Sequence, residues 1–229
     1  MDIGGLQKVS LIDYPAKICA VLFVQGCNFR CPFCHNPELV DPALYHDCIP
    51  EKEIFSFLEK RKGILDAVSI SGGEPTTQPD LFDFIERVKE MGYLVKIDTN
   101  GSHPEMLEKL LDRGLLDYIA MDVKAPLMRY REITGSDIKP ARIKQSIKMI
   151  MDSGIEYEFR TTVVKSLLNK NDLRKIARTI KDARRYVLQK FVPSKSLDEK
   201  LLSESTYSAE DFEAMKEYVK KYVGHVTVR

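Results

Sequence analysis

Cys27-Asn28-Phe29-Arg30-Cys31-Pro32-Phe33-Cys34-His35-Asn36 sets three thiols in one short stretch, spaced x3 then x2. It follows the apolar run 18–24, which Gly26 bounds. A run of that length reads as a buried strand, so the thiols fall on a loop at its carboxyl end. In an open or barrel-like α/β fold, that end is where active sites form. Three thiolates suit a soft metal centre and leave a four-metal cluster one protein ligand short. The metal position left over is a place for something else to bind.

Outward from this loop, the pattern of strand, polar turn and helix recurs. The apolar run 67–70 ends in Ser71-Gly72-Gly73-Glu74-Pro75, and 93–97 ends in Asp98-Thr99-Asn100-Gly101. A fourth run, 118–123, ends at Asp122 and Lys124; 157–164, with Arg160 near its middle, and 186–192 follow. Helical patterns occupy 51–62, 79–91, 142–153 and 172–183, the last with Asn171 as its expected cap. Ser102-His103-Pro104-Glu105 opens another that Gly114 closes, and Ser208-x-x-Asp211 caps a last one. Residues 1–17 read as irregular, 194–207 as a polar lid or partner-facing loop, and 225–229 as a terminal strand.

Six strand–helix units with short connections imply a parallel sheet with right-handed crossovers. Six are too few for an eight-fold barrel. The expected fold is α/β, a partial (βα)6 TIM-like barrel whose parallel sheet is open on one side. A single domain is expected over 1–229, its core at about 18–192 and a C-terminal extension at about 193–229. Because the polar turns follow successive strand ends, this topology brings them to one face.

Composition narrows the function. The 229 residues are 44% apolar, and no segment approaches the roughly 20 apolar residues of a membrane span. Residues 1–7 lack the basic-then-apolar start of a secretory signal, so a cytoplasmic location is expected. Thirty-five Lys and Arg against 34 Asp and Glu leave a net charge of +1, which gives no electrostatic case for nucleic acid or membrane as partner. Five cysteines, three of them crowded together, fit a metal or redox role in a reducing compartment better than a disulfide framework. Cys19 reads as a core residue and Cys48 as a bystander.

Each motif also has a plainer reading. Structural zinc on Cys27, Cys31, Cys34 and His35 lacks the separate second ligand pair such sites use. Gly72-Gly73 could be only a tight turn, yet it exposes backbone for close ligand approach. Asp98, Thr99 and Asn100 offer acceptors suited to ribose hydroxyls, or else simply form a helix entry. Lys124 and Arg160 are solvated charges or carboxylate partners, and Phe33 is core or a wall for a flat ring.

The x3–x2 cysteine spacing, with an aromatic before the last cysteine and Ser71-Gly72-Gly73-Glu74-Pro75 after it, resembles the radical S-adenosylmethionine (radical SAM) enzymes. Gly26 to Pro37, Asp98-Thr99-Asn100-Gly101 and Met121-Asp122-Val123-Lys124 are similar to the glycyl-radical-enzyme activases. Ser10-Leu11-Ile12-Asp13-Tyr14-Pro15 is similar to the activating proteins of anaerobic ribonucleoside-triphosphate reductase. This resemblance implies a [4Fe–4S] cluster on Cys27, Cys31 and Cys34, whose fourth iron takes the amino and carboxylate groups of S-adenosylmethionine. Reductive cleavage then yields a 5′-deoxyadenosyl radical that removes hydrogen from a glycine of a partner enzyme.

By the same resemblance, Gly72, Gly73 and Glu74 hold the methionyl amino end. Asp98, Thr99, Asn100, Asp122, Lys124 and Arg160 surround the other polar parts, Phe33 walls the adenine, and Asp13 lies near the entering glycine loop. The implied partner is a glycyl radical enzyme, anaerobic ribonucleotide reductase first, with flavodoxin or ferredoxin as electron donor. Only Cys48 lies between the cysteine loop and the Gly-Gly-Glu-Pro turn, so no second cluster is expected. The residues past Val164 keep a pyruvate formate-lyase type of activase in view, and a radical SAM enzyme acting on a small molecule is the other alternative.

Overall fold

The computed structural model describes Met1–Arg229. Its eight strands are hydrogen-bonded in chain order. They are β1 (Ile3–Ser10), β2 (Cys19–Val24), β3 (Ala67–Gly72), β4 (Leu94–Thr99), β5 (Tyr118–Asp122), β6 (Glu156–Val163), β7 (Arg185–Lys190) and β8 (His225–Val228). The order begins at β1 and ends at β8, so the sheet does not close. The connections carry α1 (Glu51–Glu59), α2 (Leu81–Glu90), α3 (Pro104–Asp112), α4 (Tyr130–Thr134), α5 (Pro140–Asp152), α6 (Lys170–Thr179) and α7 (Ala209–Val219). The α/β class and the open parallel sheet read from the sequence are what the chain adopts.

The chain forms two compact units. The first comprises Met1–Asn28, Glu38–Thr99 and Glu105–Ile119; the second comprises Phe29–Pro37, Asn100–Pro104 and Ala120–Arg229. In the first, β2, β3 and β4 run parallel, pairing Val21 with Ser69 and Ser69 with Lys96. The opposite face buries Leu22, Ile70 and Ile97, together with Ile54 and Leu58 of α1 and Phe84, Ile85 and Val88 of α2. Each such side chain contributes about 1.5–3 kcal/mol by leaving water. In the second unit, β6, β7 and β8 run parallel. There α6 and α7 bury Leu173, Ile176, Phe212 and Met215.

The N-terminal segment departs from expectation. Residues 3–10 are not irregular but form β1, antiparallel to β2 with Gln7 against Val21. Gly4-Gly5 and the exposed Gln7 and Lys8 give no alternating pattern, so this strand exists through its partner rather than its own propensity. The cap of α6 is Asn169 rather than Asn171: its side chain accepts from Asn171 and Asp172, and Asp172 completes a capping box. The Ser208–Asp211 box of α7 forms as its spacing predicts. Within 194–207, residues Glu199–Ser203 form a 3₁₀ turn.

Candidate active site

In the first unit, β2 and β3 meet at their carboxyl ends so closely that only glycine fits. Gly72 has φ +105, and a Cβ there would lie 2.6 Å from the Val24 nitrogen. At Gly73 the Cβ would lie 2.0 Å from the Gly26 carbonyl oxygen. Two backbone bonds seal the contact: Gly73 donates to Val24 at 2.8 Å and Glu74 to Gly26 at 2.8 Å. The segment entering the cysteine loop and the Gly-Gly-Glu-Pro turn are thereby one piece.

Glu74 is 1% exposed and serves that piece. Its Oε1 accepts from the Thr76 nitrogen at 3.1 Å, from Thr76 Oγ1 and from Thr99 Oγ1 at 2.7 Å. What the turn offers a ligand is therefore its glycine backbone. At the end of β4, Asp98 accepts from Ser71 Oγ at 3.0 Å through Oδ2 and pairs with Lys96 through Oδ1. Lys96 is buried, and nothing in the motif reading singled it out. The available signal was a lysine flanked by Val95 and Ile97 within a strand.

In the second unit, the cysteine loop carries Cys31, Phe33 and Cys34, and Cys34 donates its backbone N–H to the Cys31 carbonyl at 3.0 Å. Arg30 is tied to the Thr134 carbonyl at 2.7 Å, and Phe29 packs edge-on to Tyr130. From far along the chain, Leu197 donates to the Cys34 carbonyl at 3.1 Å and Asp198 to the Pro32 carbonyl at 2.9 Å. Ser196 Oγ adds a bond to Pro32 at 2.6 Å, and the His35 ring stacks on Phe191 with centroids 5.3 Å apart. The expected lid or partner-facing loop is, over 196–198, a clasp on the cysteine loop.

At the end of β5, Asp122 takes Arg160 Nε on one oxygen at 2.8 Å and Lys124 Nζ on the other at 2.9 Å. Burial acts to raise the Asp122 pKa, but Arg160 and Lys124 outweigh it and hold the carboxyl well below the usual range. Burial would likewise lower Lys124, yet Asp122, with Cys31 and Cys34 nearby, holds the ammonium firmly charged. The Lys124 ammonium lies 6.0 Å from the centre of the buried Phe33 ring.

The structure sorts the expected residues. Gly72, Gly73 and Asp98 stand at strand ends of the first unit, and Asp122, Lys124 and Phe33 group in the second with Arg160. Thr99 donates to Glu74, and Asn100 Oδ1 accepts from the Ser102 nitrogen at 2.9 Å. Asp13 precedes β2, at the opposite end of that strand from the cysteine loop, where it accepts from Ser10 Oγ. It does not stand with the strand-end residues, because β1 returns the chain to the amino end of β2. Cys19 is in the core, as read; Cys48 is exposed, and all five cysteines are thiols.

The sequence model of the radical SAM superfamily matches residues 21–186. A Methanocaldococcus jannaschii protein named for glycyl-radical enzyme activation is 37% identical over 99% of this chain and 95% of its own length. The pyruvate formate-lyase-activating enzyme of Clostridium pasteurianum is 30% identical over 96% of this chain and 93% of its own. This chain belongs to the radical SAM superfamily, among its glycyl-radical enzyme activases. Streptococcus suis SuiB, solved with its precursor peptide SuiA, has the same fold at TM-score 0.68 and 17% identity over 91% of this chain. The chain spans 48% of SuiB.

Radical SAM enzymes work with a [4Fe–4S] cluster and S-adenosylmethionine. The donor set here suits that pair: three thiols on one loop for a soft cluster, and a glycine turn open for backbone contact. No three His, Cys, Asp or Glu side chains converge as a single metal ion requires. No helix of this radical SAM chain is long and apolar enough to cross a membrane.

Proposed function

We propose that this chain installs a glycyl radical on a separate enzyme by reductive cleavage of S-adenosylmethionine. One observation carries the reading: Cys27, Cys31 and Cys34 stand as thiols on the loop leaving β2, in a chain alike from end to end to proteins named for that activation. When bound, the cluster and S-adenosylmethionine supply a 5′-deoxyadenosyl radical that takes one hydrogen atom from glycine.

The chain's own residues bind and orient. Cys27, Cys31 and Cys34 would hold the cluster, and the backbone of Gly72 and Gly73 would receive the methionyl amino group. Glu74, Thr99 and Asn100 keep those turns in shape, and Asp98 takes ribose hydroxyls. Arg160 and Lys124 are two cations around the single carboxylate of Asp122. Cations at this strand end suit the carboxylate of the cofactor. Phe33, beside Lys124, walls the adenine.

The Ser10 to Pro15 segment favours anaerobic ribonucleoside-triphosphate reductase as partner, with flavodoxin or ferredoxin delivering the electron. Pyruvate formate-lyase is the second reading, because the clostridial activase aligns over 96% of this chain, past Val164. The test is electron paramagnetic resonance of anaerobically reconstituted, reduced protein, followed by incubation with each candidate partner. A cluster signal reshaped by S-adenosylmethionine, then a stable glycyl radical on one partner, is expected. Modification of a small molecule with no partner present would sink the activase reading.

A further inference from the structure

In the first unit, Lys96 and Asp98 point from the same face of β4, as alternate residues of a strand do. Ser69 and Ser71 of β3 share that face, since Ser69 is in register with Lys96 and Ser71 Oγ reaches Asp98. Lys96 is only 3% exposed, whereas Asp98, one step nearer the strand end, is 16% exposed. Taking an ammonium out of water costs several kcal/mol unless a partner compensates it. A strand between two helices needs no such residue, and an apolar side chain would fill the position at less cost.

The ammonium is aimed. Ser69, its neighbour in register, is fully buried and its hydroxyl has no hydrogen-bond partner. Lys96 passes that acceptor by and pairs with Asp98 Oδ1, while Ser71 holds Oδ2 at 3.0 Å. The carboxylate is therefore gripped on both oxygens from the protein side. At 16% exposure the carboxylate can be reached by a hydroxyl arriving from the open side. Held this way the carboxylate is fixed in orientation, the arrangement that gives a bound hydroxyl its full hydrogen-bond energy.

We propose that Lys96 is a positioning residue, which with Ser71 fixes the Asp98 carboxylate to receive the ribose hydroxyls of the nucleoside cofactor. This rests on the reading of Asp98 given above. Lys96 touches no cofactor atom itself; it acts through Asp98.

The test is a binding cycle on the cluster-reconstituted protein, read from the change in the paramagnetic signal of the reduced cluster on titration. The two probes are S-adenosylmethionine and its 2′,3′-dideoxy analogue, and the variants are Lys96→Met, Lys96→Arg, Asp98→Asn and Lys96→Met/Asp98→Asn. Lys96→Met is expected to weaken S-adenosylmethionine on the order of tenfold, the size of one charge-assisted hydrogen bond. The dideoxy analogue, already without those hydroxyls, should bind the variant and the parent alike. The double variant should be no worse than Asp98→Asn alone, and Lys96→Arg should restore most of the affinity.

Equal weakening of both probes by Lys96→Met, or losses that add in the double variant, would show Lys96 to be a support of the fold and overturn the proposal. If Asp98→Asn changes neither probe while Lys96→Met changes both, the ribose role of Asp98 is what failed. A parent protein that binds neither probe overturns the functional reading together with the proposal.

Discussion

Arg160 and Asp122, on neighbouring strands of the second unit, form a hydrogen-bonded ion pair with Nε 2.8 Å from Oδ1, and Lys124 closes the other oxygen at 2.9 Å. The three side chains are 12%, 21% and 18% exposed. Asp122→Asn takes from both cations the charge they share in that partly buried setting. Removing one partner of a fully buried pair costs about 3–5 kcal/mol, and the partial exposure here brings the expected loss to about 2–3 kcal/mol. The midpoint of urea unfolding measures it; an unchanged midpoint would mean that water already screens the cluster.

The same groups shape the pH dependence of stability. Asp122 titrates lower when folded than unfolded, so its contribution is present above about pH 4, the ordinary carboxyl value, and fades as pH falls below that. At the alkaline end, burial pushes the Cys19 thiol up to about 11 and the Tyr14 phenol up to about 12. Lys124 is raised as well. All three keep their protons longer in the folded state, so stability is full below about pH 8.5, the ordinary thiol value, and declines as pH rises. Denaturant midpoints of the cluster-free protein from pH 7 to 11 should show the decline beginning with Cys19. Cys19→Ala should delay its onset toward pH 10; an unaltered slope would remove Cys19 as its source.

The readable parts of the chain were those where one residue type has one local job. Apolar runs marked the six central strands, Gly and Pro marked the turns at their ends, and Ser208 with Asp211 marked a helix start. What local pattern could not reveal depends on distant partners. β1 is a strand because β2 offers it a ladder, and the clasp on the cysteine loop comes from Ser196, separated by 164 positions from the Pro32 carbonyl it grips. Lys96 lies within an apolar run, and its pairing with Asp98, which Ser71 on the neighbouring strand also holds, has no trace in that run. The motif residues themselves divided by burial: Glu74 and Thr99 turned inward to each other, while Asp98 stayed at the edge.

Gly73→Ala tests the contact between the first two parallel strands. Its methyl would meet the Gly26 carbonyl oxygen at 2.0 Å, a backbone atom that cannot swing aside. Overpacking of this kind costs about 1–3 kcal/mol. The displaced Gly26 also carries the cysteine loop, so cluster occupancy should fall along with the thermal midpoint. Iron content and calorimetry on one preparation check both, and normal values for either would show that the strands separate without consequence.

Cys31→Ala should lose the cluster and keep the fold. Cys31 lies on a loop outside the strand ladders, and a buried thiol replaced by methyl removes little apolar area. The expected result is near-zero iron and no visible absorption after reconstitution, with far-ultraviolet circular dichroism like that of the parent. An unfolded variant would make the cysteine loop a structural site.

The bonds that hold the cysteine loop run from protein to protein: Glu74 to the Gly26 carbonyl, Arg30 to Thr134, and 196–198 to Pro32 and Cys34. Loading of the site is therefore open to influence from a segment that contributes no ligand, 164 positions beyond Pro32. Anything that pulls 196–198 aside, a substitution or a docking protein, would reach the thiols without touching them.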